Sequence, residues 1–230
     1  MKTDKNALLS RVSLFRGLSA KLLKKISSFA KFHHFRRGER IFSEASSGEC
    51  LYVLVNGRVK IYATAGSRTK TFALLDPGDF FGEMALLGQP TRSASARAIL
   101  DSELLVLERK DFHRFLRDDS ALAMTMLRTV CDRLRRADKE IEMLSFQNVV
   151  GRTAITLIEL EGKYGKPDSK GSLIDAGITQ QELADLIGTA REMVTRVLAK
   201  FRTTGAIAFD KPSGKIIILN REKLKNCIYQ

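Results

Sequence analysis

Between residues 32 and 108 the chain runs in short apolar and β-branched stretches, broken by Gly38, Gly48, Gly57, Gly66, Gly78 and Gly88 at intervals of 9 to 12 residues. That is the turn rhythm of an antiparallel β-roll or jelly roll. Within it, "LYVLVNGRVKIY" places Asn56-Gly57 between two strand-like runs, which predicts a hairpin closed by a two-residue turn. His33 and His34 fall in a strand, one ring predicted inward and the other outward. Just before the roll, "SAKLLKKISSFA" predicts a helix with Ser19 as its N-cap and Leu22, Leu23, Ile26 and Phe29 along one face.

From Asp111 the period lengthens to about 3.6, and the stretch to Leu144 holds neither Gly nor Pro, so it predicts one long helix. Ala123, Leu127, Val130, Leu134, Ala137, Ile141 and Leu144 follow one another in steps of 4, 3, 4, 3, 4 and 3. This is a heptad seam, and charge on its flanks favours a parallel two-stranded coiled coil, hence a homodimer. A stripe packed against the chain's own β-domain is the alternative.

Residues 147–230 read as helical to about Thr204, then as a hairpin: Ile207-Ala208-Phe209 and Ile216 to Leu219 bracket Pro212-Ser213-Gly214. Within "ITQQELADLIGTAREMVTRVLAKF", Thr179 and Glu182 form a capping box, with Leu183, Ala184 and Ile187 inward. Gly188 breaks the chain and Thr189 is placed to cap a second helix. There Val194, Val197, Leu198 and Phe201 turn inward, and Arg191, Glu192, Thr195 and Arg196 outward. Helix, turn, helix and hairpin predict a winged helix-turn-helix.

At 230 residues, two domains are expected. A net charge of +13 suggests nucleic acid, yet +9 of it lies in residues 1–60 and only +4 in 147–230, so charge alone does not place the interface. Cys50, Cys131 and Cys227 are odd in number and widely spaced, against a disulfide framework, zinc or an iron-sulfur cluster. With only His33, His34 and His113 available, no metal is expected. No apolar run approaches the ~18 residues of a membrane span, and "MKTDKNALLSRVSLF" lacks a secretory pattern, so a cytoplasmic protein without membrane contact is expected. No nucleophile with its base and no paired catalytic carboxylates emerge, so no enzyme is expected.

One stretch carries ligand chemistry. "FFGEMALLGQPTRSASARA" sets Gly82-Glu83 nine residues ahead of Arg92-Ser93. Arginine offers a charged fork to phosphate oxygens, and a carboxylate only accepts, which suits a sugar hydroxyl. An internal Glu83–Arg92 ion pair is the competing reading.

In its order of β-roll, long helix and winged helix-turn-helix, the chain resembles the Crp-Fnr family of bacterial transcription regulators over nearly its whole length. "FGEMALLGQPTRSA" is similar to the phosphate-binding cassette of cyclic-nucleotide-binding domains. The resemblance implies a ligand site of Gly82, Glu83, Met84, Ala85, Arg92, Ser93 and Ala94. There Glu83 takes the ribose 2′-hydroxyl and Arg92 with Ser93 takes the cyclic phosphate. It further implies a base side at Ala137-Asp138, where the cyclic-AMP receptor protein has Thr-Ser. Cyclic AMP is the expected effector, with cyclic GMP a competitor because one carboxylate can accept from two guanine donors.

"TAREMVTRV" resembles a recognition helix for TGTGA-type half-sites. It implies DNA contacts from Thr179, Gln180, Thr189, Arg191, Glu192, Thr195 and Arg196, with Arg191, Glu192 and Arg196 reading bases. An exposed Glu192–Arg196 pair is the bland alternative. The expectation is an α+β chain: a β-roll effector domain at 1–116, a dimerisation helix and hinge at 117–146, and a winged helix-turn-helix at 147–230. Its partners are double-stranded DNA, a second copy and RNA polymerase. The rivals are a cyclic-nucleotide-binding regulatory subunit that controls an enzyme without touching DNA, and a family regulator that senses no cyclic nucleotide. The cysteine cluster and haem histidine of other family sensors have no counterpart here.

Overall fold

The computed structural model describes residues 5–228. The chain divides into two compact units, Met1–Ala63 with Phe72–Arg135 and Thr64–Thr71 with Arg136–Gln230.

The first unit opens with α1 (Lys5–Arg11), a 3-10 turn (Ser13–Phe15) and α2 (Ala20–Phe29). Ser19 caps α2 as predicted, its hydroxyl accepting from the Leu22 amide at 3.2 Å. The roll follows as β1 (Lys31–Phe35), β2 (Arg40–Phe42), β3 (Cys50–Asn56), β4 (Val59–Ala65), β5 (Arg68–Leu75), β6 (Phe80–Phe81), α3 (Met84–Leu87), β7 (Ser95–Ala98) and β8 (Ser102–Glu108). The strands form two antiparallel sheets, ordered β1-β8-β3-β6 and β2-β7-β4-β5.

The first sheet is buried on both faces. Leu51, Val53, Leu105 and Leu107 pack with helical Phe15, Ile26, Phe112 and Phe115, whereas Leu54, Leu104 and Val106 meet Val59, Phe81 and Ala96 inside the roll. Period-two alternation along β3 and β8 therefore serves two cores at once.

Two strand expectations are corrected. Asn56-Gly57 does not close a hairpin: β3 and β4 belong to different sheets, and the turn carries the chain from one to the other. Gly57 is required there because its φ is +90° and a Cβ would lie 2.3 Å from the Asp101 carbonyl oxygen. His33 and His34 are both exposed, since β1 is an edge strand, and His34 Nε2 lies 3.5 Å from Glu103.

The helical stretch from Asp111 is also divided. α4 (Arg109–Asp118) ends at Asp119, whose extended backbone (φ −141°, ψ 108°) breaks the helix. The Asp119 carboxylate then accepts from the Leu122 amide at 2.9 Å, in the first turn of α5 (Ser120–Phe146). An aspartate competing for backbone donors explains a break without Gly or Pro. Along α5, Leu122 and Met126 are buried in the first unit's core, while Leu127, Val130, Leu134, Ile141 and Leu144 stay exposed.

The second unit continues with α6 (Val149–Tyr164), β9 (Gly165–Asp168), β10 (Gly171–Ile174), α7 (Gln180–Ile187), α8 (Arg191–Thr203), β11 (Ile207–Phe209), β12 (Ile216–Ile218) and α9 (Arg221–Lys225). The strands form one sheet, β11-β12-β10-β9. The hairpin predicted around Pro212-Ser213-Gly214 is present, with Ile207 opposite Ile218 and Phe209 opposite Ile216. The β9–β10 hairpin interrupts a region read as helical to Thr204. Its turn lies in Pro167-Asp168-Ser169-Lys170-Gly171, a run of turn-forming residues in which the Asp168 carboxylate accepts from the Lys170 amide at 2.9 Å.

Asp175, just beyond β10, joins the two hairpins by accepting from Lys166 and Lys215, each at 2.5 Å. These hydrogen bonds, Lys166 first, pull its carboxyl down to about 2. A depressed carboxyl contributes stability above its unfolded value of roughly 3.9, and loses it as pH falls through about 2. Asp175→Asn should therefore lower resistance to urea at pH 6, with the gap to wild type closing as pH is taken from 4 to 2. A gap that does not depend on pH would show that the carboxylate charge is irrelevant there.

Candidate effector site and nucleic-acid interface

The glycine-glutamate segment leaves β6 and turns at once into α3. Gly82 makes the turn with φ +85°, and a Cβ there would lie 2.6 Å from the Arg92 guanidinium and 3.0 Å from the Cys50 carbonyl oxygen. Only glycine lets the backbone approach Arg92 so closely. Across the site, residues 90–92 are stitched to 45–48. Arg92 N donates to Ser46 O at 2.8 Å, Gly48 N to Pro90 O at 2.9 Å, and Ala45 N to Arg92 O at 2.9 Å.

Arg92 is 5% exposed. It donates through Nη1 to Gly82 O at 2.7 Å and through Nη2 to Cys50 O at 2.9 Å, while its Nε has no partner. Its guanidinium carbon lies 4.3 Å from the Phe42 ring centre and 5.5 Å from that of Tyr52. Burial pushes the guanidinium below its usual value, with nearby Tyr52, Cys50 and Glu83 acting the other way. The same burial raises the Tyr52 hydroxyl and the Cys50 thiol.

Glu83 is fully buried, and its partner is neither Arg92 nor solvent. Arg133 of α5 donates through Nη1 to Glu83 Oε1 at 2.5 Å and through Nη2 to Phe80 O at 2.7 Å. Glu83 Oε2 has no hydrogen-bond partner. The competing reading of a Glu83–Arg92 pair is thus replaced by Glu83–Arg133.

Ser93 is exposed and its hydroxyl lies 3.5 Å from the sulfur of Met84, itself exposed; Ala85 and Ala94 are buried. From outside, Arg109 supports α3 by donating to Ala85 O at 2.6 Å and Gly48 O at 2.8 Å, and His113 Nε2 lies 2.8 Å from Leu86 O. The site therefore gathers Gly82, Glu83, Met84, Ala85, Arg92, Ser93 and Ala94 around an unpartnered acceptor oxygen and an unpartnered guanidinium N–H. A buried orphan of each sign is costly to leave unsatisfied. Such a pair suits a ligand bringing both a hydroxyl and an anion. Ala137 and Asp138 lie further along α5 and are exposed.

Sequence reasoning missed Arg133, Arg109 and the Phe42–Tyr52 cover. For Arg133 a signal existed: it directly precedes Leu134, on the flank of the heptad seam.

In the second unit the capping box forms as predicted, with Thr179 Oγ1 accepting from Glu182 N at 3.2 Å and Glu182 Oε2 accepting from Thr179 N at 2.7 Å. Gly188 closes α7 in the left-handed conformation, φ +76°. Thr189 does not cap α8. Its amide is drawn back to Ala184 O at 3.1 Å, and Ala190 takes the N-cap position without a side-chain bond.

Leu183, Ala184 and Ile187 of α7, and Val194, Val197, Leu198 and Phe201 of α8, are buried. Arg191, Glu192, Thr195 and Arg196 are exposed together with Thr179 and Gln180, and Thr195 Oγ1 lies 3.5 Å from Gln180 Oε1. Arg196 turns its Nη1 toward the Met193 sulfur at 3.9 Å, and the bland Glu192–Arg196 pair is not formed among the described residues. The first two turns of α8 thus present the guanidinium groups of Arg191 and Arg196 and the Glu192 carboxylate to solvent, on the element that enters a major groove in helix-turn-helix proteins.

Residues 32–119 match the family model for a cyclic nucleotide-binding domain, and residues 151–227 that for a Crp-like helix-turn-helix domain. The chain belongs to the Crp-Fnr family. It is 36% identical over 195 residues to the cyclic AMP receptor protein of Thermus thermophilus, covering 84% of this chain and 87% of that one. It is 28% identical to the CRP-like cAMP-activated global transcriptional regulator of Mycobacterium tuberculosis, over 94% of this chain and 96% of that one. Among solved structures, a CRP/FNR-family transcriptional regulator from Thermus thermophilus superposes with a TM-score of 0.71 at 28% identity, covering 87% of this chain and 99% of the other. The chain is accordingly a DNA-binding transcription regulator of the Crp-Fnr family rather than an enzyme, with a cyclic-nucleotide-binding domain ahead of its helix-turn-helix. Among the described residues no helix is long and apolar enough to cross a membrane.

Proposed function

We propose that this Crp-Fnr regulator is a cytoplasmic homodimer that binds a cyclic nucleotide in its β-roll and, when so bound, a palindromic TGTGA-type DNA site. Residues 1–116 serve as the effector domain, 117–146 as dimerisation helix and hinge, and 147–230 as the DNA-binding domain, which meets RNA polymerase at promoters. Cyclic AMP is the first candidate, because the similar Mycobacterium tuberculosis regulator is cAMP-activated; cyclic GMP is the second.

The observation that carries the reading is the cassette itself. Arg92 Nε and Glu83 Oε2 are buried without partners, on either side of a glycine turn, with the Ser93 hydroxyl exposed beside them. Arg92 and Ser93 suit the cyclic phosphate, and Glu83 Oε2 the ribose 2′-hydroxyl. The match to a Crp-like helix-turn-helix weighs against a regulatory subunit that never touches DNA. The deciding measurement is fluorescence anisotropy of a labelled TGTGA-type palindrome at one fixed salt concentration, without nucleotide and with cyclic AMP or cyclic GMP. Tightening with either supports the proposal; specific binding that ignores both identifies a family member with another effector.

The interface carries its own test. Arg191→Ala should weaken binding to the palindrome far more than to a scrambled duplex, because a bidentate base contact supplies ~1–3 kcal/mol of discrimination. Non-specific affinity rests on phosphate contacts and should change little. Equal losses on both duplexes would show that Arg191 does not read bases.

A further inference from the structure

The heptad register of α5 fixes more than its apolar seam. With Leu127, Leu134 and Ile141 at a and Ala123, Val130, Ala137 and Leu144 at d, the flanking g positions are Met126, Arg133 and Glu140, and the e positions are Met124, Cys131, Asp138 and Ser145. In a parallel two-stranded coil, each g residue faces the e residue of the partner's next heptad. Met126 is buried in its own unit's core, so the facing pairs are Arg133 with Asp138 and Glu140 with Ser145. Arg133 with Asp138 is the single oppositely charged combination in this set.

Both members have spare capacity. Of the five N–H donors on a guanidinium, Arg133 spends two, on Glu83 Oε1 and Phe80 O, and the side chain is 35% exposed. Asp138 is exposed and has no ion-pair partner among the described residues, although Arg135 and Arg136 are close in sequence; Arg135 is engaged by Asp132 at 2.6 Å. An antiparallel coil would not bring a g residue opposite an e residue, so the charges also select the parallel arrangement.

We infer that Asp138 is a positioning residue acting across the dimer: the partner subunit's Asp138 pairs with Arg133, and through Arg133 holds the buried Glu83 carboxylate in place. The inference rests on the proposed parallel dimer, and it gives Asp138 work other than reading the purine. A chain of alternating charge then runs from the cassette of one subunit to the long helix of the other. The effector site is incomplete without a second copy, and an effector that draws on Glu83 acts on the dimer seam directly. This is the differential contact that coupling between ligand and quaternary arrangement requires.

The test is a double-mutant cycle on the full chain with Asp138→Asn and Arg133→Gln, read by sedimentation at low and high salt and by calorimetric titration with cyclic AMP and cyclic GMP. An exposed ion pair contributes modestly, and two-fold symmetry counts it twice. Asp138→Asn should weaken dimerisation about three- to ten-fold at low salt, with the loss fading at high salt. Affinity for the two nucleotides should fall by one common factor, and in the Arg133→Gln background the same substitution should change dimerisation less than about two-fold.

Unaltered dimerisation of Asp138→Asn at low salt overturns the inference, as does an equal loss with and without Arg133. A shifted cyclic AMP to cyclic GMP ratio with dimerisation intact assigns Asp138 to the base instead. A monomeric wild type removes the dimer reading itself, and the pairing falls with it.

Discussion

Arg92→Ala should abolish binding of cyclic AMP and cyclic GMP alike, raising Kd at least ~100-fold for each. In the proposed site the guanidinium would address only the phosphate that both nucleotides share, and a charge-assisted hydrogen bond contributes roughly 1.5–3 kcal/mol, so losing a two-pronged contact would remove most of the affinity. The structure adds a complication, because Arg92 also holds the site together. It satisfies the carbonyls of Gly82 and Cys50 from a buried position. Truncation leaves two acceptors short of a donor, at about 1–3 kcal/mol each, and the domain should melt earlier.

Ser93→Ala separates the two effects. Ser93 is exposed and bonds only to the sulfur of Met84, so its loss should leave stability unchanged and still weaken both nucleotides. Calorimetric titration beside thermal melts of both variants provides the check. Retained nucleotide binding by a folded Arg92→Ala protein would remove the cassette as the effector site.

The order of elements was legible because each leaves a periodic trace. Alternation and glycine spacing marked the roll, the 4,3 steps marked α5, and Thr179 with Glu182 and Gly188 marked the ends of α7. Where the reading failed, a contact that residue type alone does not announce decided the outcome, long-range in one case and five residues back in another. Asn56-Gly57 carries the signature of a hairpin, but Leu54 and Val59 point into one interior from opposite sheets, so the turn bridges the layers instead. Thr189 has a cap's side chain, but closure of the left-handed turn at Gly188 takes its amide for Ala184 O.

In the candidate effector site the residue types were legible and their pairing was not. Glu83 and Arg92 stand nine residues apart, yet each is held by something else: Glu83 by Arg133, 50 residues away, and Arg92 by the carbonyls of Gly82 and Cys50. Local spacing cannot carry that information. It depends on how α5 lies along the roll, which Leu122 and Met126 fix by burying in the same core as Phe112 and Phe115.

That packing leaves the other side of α5 bare, and from it comes the second large effect expected. Leu134 and Ile141 are each 62% exposed in the single chain, one heptad apart and aligned with Leu127. Leu134→Glu or Ile141→Glu should convert the protein to a monomer. In a two-fold dimer every substitution occurs twice, on facing helices. Two carboxylates ~5 Å apart repel by about 3 kcal/mol at an effective dielectric near 20. Two large apolar side chains, meanwhile, lose burial that contributes ~1.5–3 kcal/mol apiece. The combined penalty, roughly 6–9 kcal/mol, corresponds to weakening of more than about 10⁴-fold. Because the affected side chains lie on the exposed face rather than with Leu122 and Met126, each variant should keep its fold by circular dichroism while sedimenting as a single chain. Its DNA binding should fall to that of one half-site, since two recognition helices ~34 Å apart require two subunits. If both variants sediment as dimers, the seam is not the interface, and the exposed stripe on α5 answers to some other contact.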